Sequence, residues 1–118
     1  MPAAKKKVRL RLRIDVDREP AIGPGKIALL EAIMMTGSIS AAARELGMSY
    51  RRAWLLIEDI NSRLRNPAVT RAKGGSRGGS SELTESGRQL VHLYRTVEAT
   101  AYSKALPDIR ALTALLAK

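Results

Sequence analysis

Ala43 and Gly47 stand four residues apart inside SISAAARELGMSYRRAWLL, the run from Ser38 to Leu56. A small residue is needed where one helix meets another at close range. A glycine is needed in a tight turn whose φ is positive. Leu46 and Ala53 supply apolar side chains between the two helices. The spacing predicts a helix-turn-helix. Many helical pairs hold an alanine and a glycine at this distance, so its meaning rests on the flanking segments.

Upstream, a helical pattern begins at Lys26, with Ile27, Leu30 and Met34 on one face and Leu29 and Ile33 on another. A helix apolar on two faces sits centrally or meets a second subunit. Gly37 closes it. The hydroxyls of Ser38 to Ser40 can cap a short second helix over Ala41 to Leu46. Ser49 can cap a third, Tyr50 to Leu64, in which Ala53, Ile57, Ile60 and Leu64 form one stripe. Asn66-Pro67 stops it. The chain has one Trp, three Tyr and no Phe. Trp54, the one tryptophan of the chain, is therefore expected in the core.

Downstream, Val69 to Ala72 and Ser81 to Leu83 flank KGGSRGGS (Lys73 to Ser80), a β-hairpin with a glycine-rich tip. Thr84 can cap a long helix to about Leu106 carrying Leu90, Leu93, Val97 and Ala101 on one side. Pro107 is expected to break it, leaving a short amphipathic segment with Ile109, Leu112 and Leu116.

The N-terminus reads differently. Residues 1–7 (MPAAKKK) form a basic tail expected to be disordered. Val8, Leu10, Leu12, Ile14 and Val16 then alternate with Arg9, Arg11, Arg13, Asp15 and Asp17, the pattern of a half-buried strand. REPAIGPG (residues 18–25) reads as a connector. The strand has three possible roles. It joins the hairpin as a third strand, which is the favoured reading, it pairs with its twin across a dimer, or the KKK tail acts as an arm along a nucleic-acid groove.

The 118 residues make one domain. The expected class is mainly α with a small β-sheet: a winged helix-turn-helix with an N-terminal strand and a long C-terminal dimerisation helix. Its divisions are the tail 1–7, the domain 8–106 and a short helix over 107–118.

Charge suggests the partner. Twenty-one Lys and Arg against eleven Asp and Glu give +10. That suits DNA, RNA or an acidic membrane surface, though basic proteins also use charge for solubility. From Arg44 to Arg77 eight basic residues face three acidic ones, a balance of +5 over the elements expected to meet DNA. The first turn of a recognition helix reaches base edges. Ser49, Tyr50, Arg51 and Arg52 occupy that turn, with Leu55 one turn on and Ser40 at the start of the preceding helix. Arginine can pair with guanine, Ser and Tyr with phosphate, and Leu55 with a thymine methyl. The alternatives are a solvated face for Arg51 and Arg52 and packing beside Trp54 for Tyr50. At the hairpin, Arg71, Lys73 and Arg77 lie among four glycines that let backbone approach phosphate. The alternative is a mobile tip with incidental charges.

Other classes are disfavoured. There is no cysteine, so no disulfide, thiolate metal site or Cys nucleophile. His92 is the one histidine and lies mid-helix without an acidic cluster, so no catalytic or metal site is expected. No GxxxxGK phosphate loop occurs. No apolar run approaches the roughly 20 residues that span a bilayer, and no apolar region follows the basic N-terminus as in a signal peptide. The expected location is cytoplasmic and nucleoid-associated.

TGSISAAARELGMSYRRAWLLIEDIN (Thr36 to Asn61), followed by KGGSRGGS and SELTESG (Ser81 to Gly87), resembles the DNA-binding domain of the ModE-type molybdate-responsive transcription regulators. The resemblance runs from about Gly23 to Tyr94. It implies a winged-helix homodimer on palindromic operators, with a recognition helix from near Ser49 and subunits paired by the helix after Thr84, through Leu90, Leu93, Val97 and Ala101. Molybdate-sensing members carry a further C-terminal domain. Only 14 residues follow Lys104, so no molybdate site and no cofactor are expected within this chain. Arg77 also interrupts the glycine run of the wing. Two other functions fit the same features: a chromosome-organising protein binding DNA without sequence preference, and an interaction subunit that modulates a full-length regulator.

Overall fold

The structure is a computed structural model that describes residues 7–71 and 80–117. Its elements run β1 (Ile14–Val16), β2 (Glu19–Ile22), α1 (Pro24–Thr36), α2 (Ile39–Glu45), α3 (Tyr50–Arg63), β3 (Val69–Arg71), β4 (Ser81–Leu83) and α4 (Glu85–Ala114). Three helices, a hairpin and a long helix in this order make a winged helix-turn-helix.

The caps expected from sequence set the helix starts. Ser38 Oγ accepts from the Ala41 N–H at 2.9 Å and Ser49 Oγ from the Arg52 N–H at 3.1 Å. Thr84 Oγ1 accepts from the Gly87 N–H at 3.1 Å. Each satisfies a backbone donor that the first turn would otherwise leave unpaired. Gly37 and Gly47 adopt φ of +78° and +69°, which reverse the chain after α1 and α2.

The core forms around α1. Ile27, Leu29, Leu30 and Ile33 are fully buried and meet Ala42 and Ala43 of α2, Ala53, Ile57 and Ile60 of α3, Val69, Leu83, and Val91 and Tyr94 of α4. Each large aliphatic side chain buried here stabilises the fold by roughly 1.5–3 kcal/mol. Met34, expected on one apolar face with Ile27 and Leu30, is exposed in the last turn of α1, although Ile27 and Leu30 are fully buried.

The N-terminal strand departs from expectation. Only Ile14–Val16 is strand, and it pairs with β2 inside the segment read as a connector. β1–β2 and β3–β4 are separate two-stranded sheets. The third-strand place beside the wing is taken by the α1–α2 connection: Ser38 bridges Ser80, and the Ser81 N–H donates to the Gly37 carbonyl at 2.9 Å. Residues 8–13 instead run beside α4, where the Tyr94 hydroxyl donates to the Leu12 carbonyl at 2.6 Å. Leu10 and Leu12 are half-buried there, whereas Val8, Ile14 and Val16 are exposed.

Nor does Pro107 end the last helix, which continues through it to Ala114. Proline removes the bond to the carbonyl four residues back. That carbonyl belongs to Ser103, which is exposed, so water can satisfy it. Two salt links brace the helices. Arg95 donates to both carboxyl oxygens of Glu31 on α1, at 2.6 and 2.9 Å, and to Glu98 at 2.7 Å. Lys26 pairs with Asp59 on α3, which also accepts from Arg63.

Candidate nucleic-acid interface

α3 presents three sides. Ala53, Ile57 and Ile60 face the core. Arg51, Leu55, Glu58 and Ser62 follow the opposite side and are all exposed. Between them, Tyr50 and Trp54 face the wing across a groove that also includes Asn61, Thr70, Arg71 and Ser80.

The sequence-derived candidates fall as follows. Ser49 caps α3, so its oxygen is engaged by the Arg52 N–H. Tyr50, Arg51 and Arg52 are exposed on the first turn, and Leu55 on the second. Ser49, Arg51, Arg52 and Leu55 line one shallow depression, so these four come together. Ser40 is exposed on the first turn of α2, and Arg71 is exposed at the end of β3. Lys73 and Arg77 lie outside the described residues, as does most of the hairpin tip. Along α4, Leu90 packs against the core, Ala101 is half-buried, and Leu93 and Val97 are 52% and 47% exposed.

Trp54 is 44% exposed, not buried as expected. The physical reason lies in α3 itself. Ala53, Ile57 and Ile60 occupy the strip that meets α1 and α2, and Trp54 is turned about 100° from Ala53 by the helical repeat.

Asn61 escaped the sequence reading. Its Oδ1 accepts from the Ala68 and Val69 N–H groups at 2.8 and 3.3 Å, and its Nδ2 donates to the Val69 carbonyl at 3.2 Å. One side chain thus fastens the base of the wing to α3. Thr84 does the same from α4, donating to the Pro67 carbonyl at 2.6 Å while its N–H donates to the Ala68 carbonyl at 2.9 Å. The signal available was a polar residue five positions before the Asn66-Pro67 stop, which is too common to single out.

The electrostatics leave Arg51 and Arg52 as the cations of the first turn. Asp59 is engaged: the Lys26 ammonium, with Arg63 beside it, holds its carboxyl below the ordinary range. Arg63 is held above its usual value chiefly by Asp59. Among the described residues no group of His, Cys, Asp or Glu is placed to hold a metal ion, and no helix is long and apolar enough to cross a membrane.

Residues 25–88 match the family described as bacterial regulatory helix-turn-helix protein, lysR family. In sequence, the chain is 49% identical over 78 residues to the molybdenum-pterin-binding protein MopB of Rhodobacter capsulatus, covering 66% of this chain and 29% of that one. It is 41% identical over 97 residues to the transcriptional regulator ModE of Yersinia pestis, covering 80% of this chain and 37% of the relative. The chain thus spans about a third of the length of the curated relatives it matches. In structure, it superposes on the DNA-binding domain of CbnR, solved in complex with DNA, with a TM-score of 0.59 at 18% identity, over 75% of this chain and 95% of that one. That likeness is one of fold. The match covers the helix-turn-helix, the wing and the start of α4, and on it the chain belongs to the lysR-type bacterial regulatory helix-turn-helix family, with ModE and Mop proteins among its relatives.

Proposed function

We propose that this chain binds double-stranded DNA sequence-specifically, as a homodimeric transcriptional regulator of the ModE type. The observation that carries the reading is the first turn of α3. Ser49 caps it, Ala53 and Ile57 anchor it, and Arg51 and Arg52 stand exposed on it. An arginine fixed at a helix start can reach a guanine edge with two hydrogen bonds, which a loose surface arginine does at greater entropic cost. Membership in a regulatory helix-turn-helix family supports this, as does a relative described as a transcriptional regulator. Tyr50, Leu55 and Ser40 supply further contacts to bases or phosphate. Arg71, with Lys73 and Arg77 of the tip, supplies sequence-independent attraction.

The dimer part of the proposal rests on α4. Leu93 and Val97 are exposed one helical turn apart, and Leu112, Leu115 and Leu116 are exposed near its end. A second copy of α4 would cover such a strip, and two copies would place two α3 helices on two half-sites. The role is non-catalytic and set in the cytoplasm with the chromosome.

Selection of bound duplexes from a random pool tests the reading. An enriched palindrome is the expected result. Binding without enrichment would replace it with a chromosome-organising role. A native mass equal to a single chain would remove the dimer.

A further inference from the structure

The groove between α3 and the wing holds an exposed tryptophan, Trp54, to which the DNA-binding reading above gives no role. We infer that Trp54 is a DNA-contact residue, seated against the sugar–phosphate strand that borders α3 on the side of the wing. The inference rests on the DNA-binding reading above and deepens it.

The geometry is simple. A helix in the major groove is bordered by a phosphate backbone on each side. A hairpin set beside that helix can reach only the bordering backbone or the minor groove beyond it. Either way, the side of the helix that faces the hairpin lies along one strand. Here the floor between them carries Tyr50 and Trp54, one helical turn apart on α3, with Thr70 and Arg71 of β3 and Ser80 opposite. Tyr50 and Trp54 are 54% and 44% exposed. The strip therefore offers two aromatic faces suited to deoxyribose, an indole N–H and a phenol that donate to phosphate, and one guanidinium across the groove. Glu58, one turn beyond Trp54 at the border with the exposed side of α3, also lines the groove. Its carboxylate repels a phosphate and can accept from a cytosine amino group, so it bounds the strip on the side of the bases.

Trp54 is the one tryptophan in the chain, so its fluorescence reports this groove alone. The experiment uses the full chain and a labelled duplex taken from the random-pool selection. Binding is read by anisotropy of the label, and Trp54 exposure by acrylamide quenching without label. The expected result is a quenching constant that falls several-fold when the duplex binds. Duplex binding with unchanged quenching would overturn the inference and leave the DNA-binding reading intact. No duplex binding would overturn that reading, and the inference with it.

Trp54→Phe separates contact from structure, because an aromatic ring stays and the indole N–H goes. We expect roughly a tenfold weaker affinity, as for loss of a hydrogen bond to a charged group, with the salt slope unchanged because no cation is lost. Unchanged circular dichroism accompanies it. Parental affinity in a folded Trp54→Phe together with unchanged affinity in a folded Trp54→Ala would overturn the contact.

Discussion

Gly87, on the first turn of α4, lies directly against the backbone of Ala68 at the base of the wing. A Cβ placed on Gly87 would overlap the Ala68 carbonyl oxygen and sit 3.1 Å from its carbon. The same carbonyl accepts the Thr84 N–H at 2.9 Å. Ala68 is fully buried and its own N–H is held by Asn61. Neither backbone can retreat without breaking bonds, so the glycine sets how closely α4 and the wing approach. Gly87→Ala should cost about 1–3 kcal/mol, the range for overpacking a filled site. The urea midpoint should fall with the slope unchanged; a midpoint equal to the parent's would contradict this packing.

The turn between β1 and β2 carries the opposite opportunity. Asp17 and Arg18 have φ of +52° and +70°, two consecutive non-glycine residues in the left-handed region. A two-residue hairpin with both φ values positive favours Asn-Gly or Asp-Gly. Arginine has no compensating advantage there, so Arg18→Gly should stabilise the hairpin by about 1 kcal/mol. Hydrogen exchange of the β1–β2 amides should slow. Faster exchange would show that the turn is not under strain.

On DNA, the two groups of arginines should behave differently. Arg51→Ala combined with Arg52→Ala should weaken operator binding by about 2–6 kcal/mol and narrow the gap between operator and random duplex, since each arginine reads bases for about 1–3 kcal/mol. Arg71→Ala should weaken both duplexes alike and lower the salt slope by about one. A folded double variant that binds operator as the parent does would remove α3 from the reading role.

Acid should loosen the helix braces first. Arg95 holds the Glu31 carboxyl below its ordinary 4.5, and Lys26 followed by Arg63 holds Asp59 below its ordinary 3.8. A carboxyl with a depressed value in the folded state binds its proton more readily when unfolded. Its contribution is therefore complete above the ordinary value and fades as pH falls through the folded one. The urea midpoint should hold near neutrality and decline below about pH 4.5, and Glu31→Gln should shrink that decline. An equal decline in Glu31→Gln would assign the acid sensitivity to other groups.

Local chemistry explains what could be read from the chain. Ser38, Ser49 and Thr84 each satisfy a nearby N–H, and Gly37 and Gly47 each take a φ that other residues resist. These are short-range effects, so the starts of α3 and α4 and the end of α1 could be placed from residue type and spacing, whereas the end of α4 could not. The stripe Ala53, Ile57 and Ile60 was likewise legible, because burial on a helix follows its repeat.

Tertiary structure decided the rest, wherever two candidate partners competed for one position. Val8 to Val16 alternates as a strand should, yet the wing edge is held by Ser38 and Gly37, so most of the segment runs beside α4. Trp54 is the largest apolar side chain, yet smaller residues already fill the core and leave it facing the groove. Pro107 should stop a helix, yet Ser103, whose carbonyl it orphans, is an exposed residue. The fastening of the wing by Asn61, Thr84 and Gly87 joins residues whose adjacency no spacing reveals. The helix-turn-helix around Ala43 and Gly47 was legible once its flanking caps and stripes were read with it, because all of those needs are local. Where its exposed aromatic groove lies, and how firmly the wing is held beside it, depended on which distant backbone reached each site.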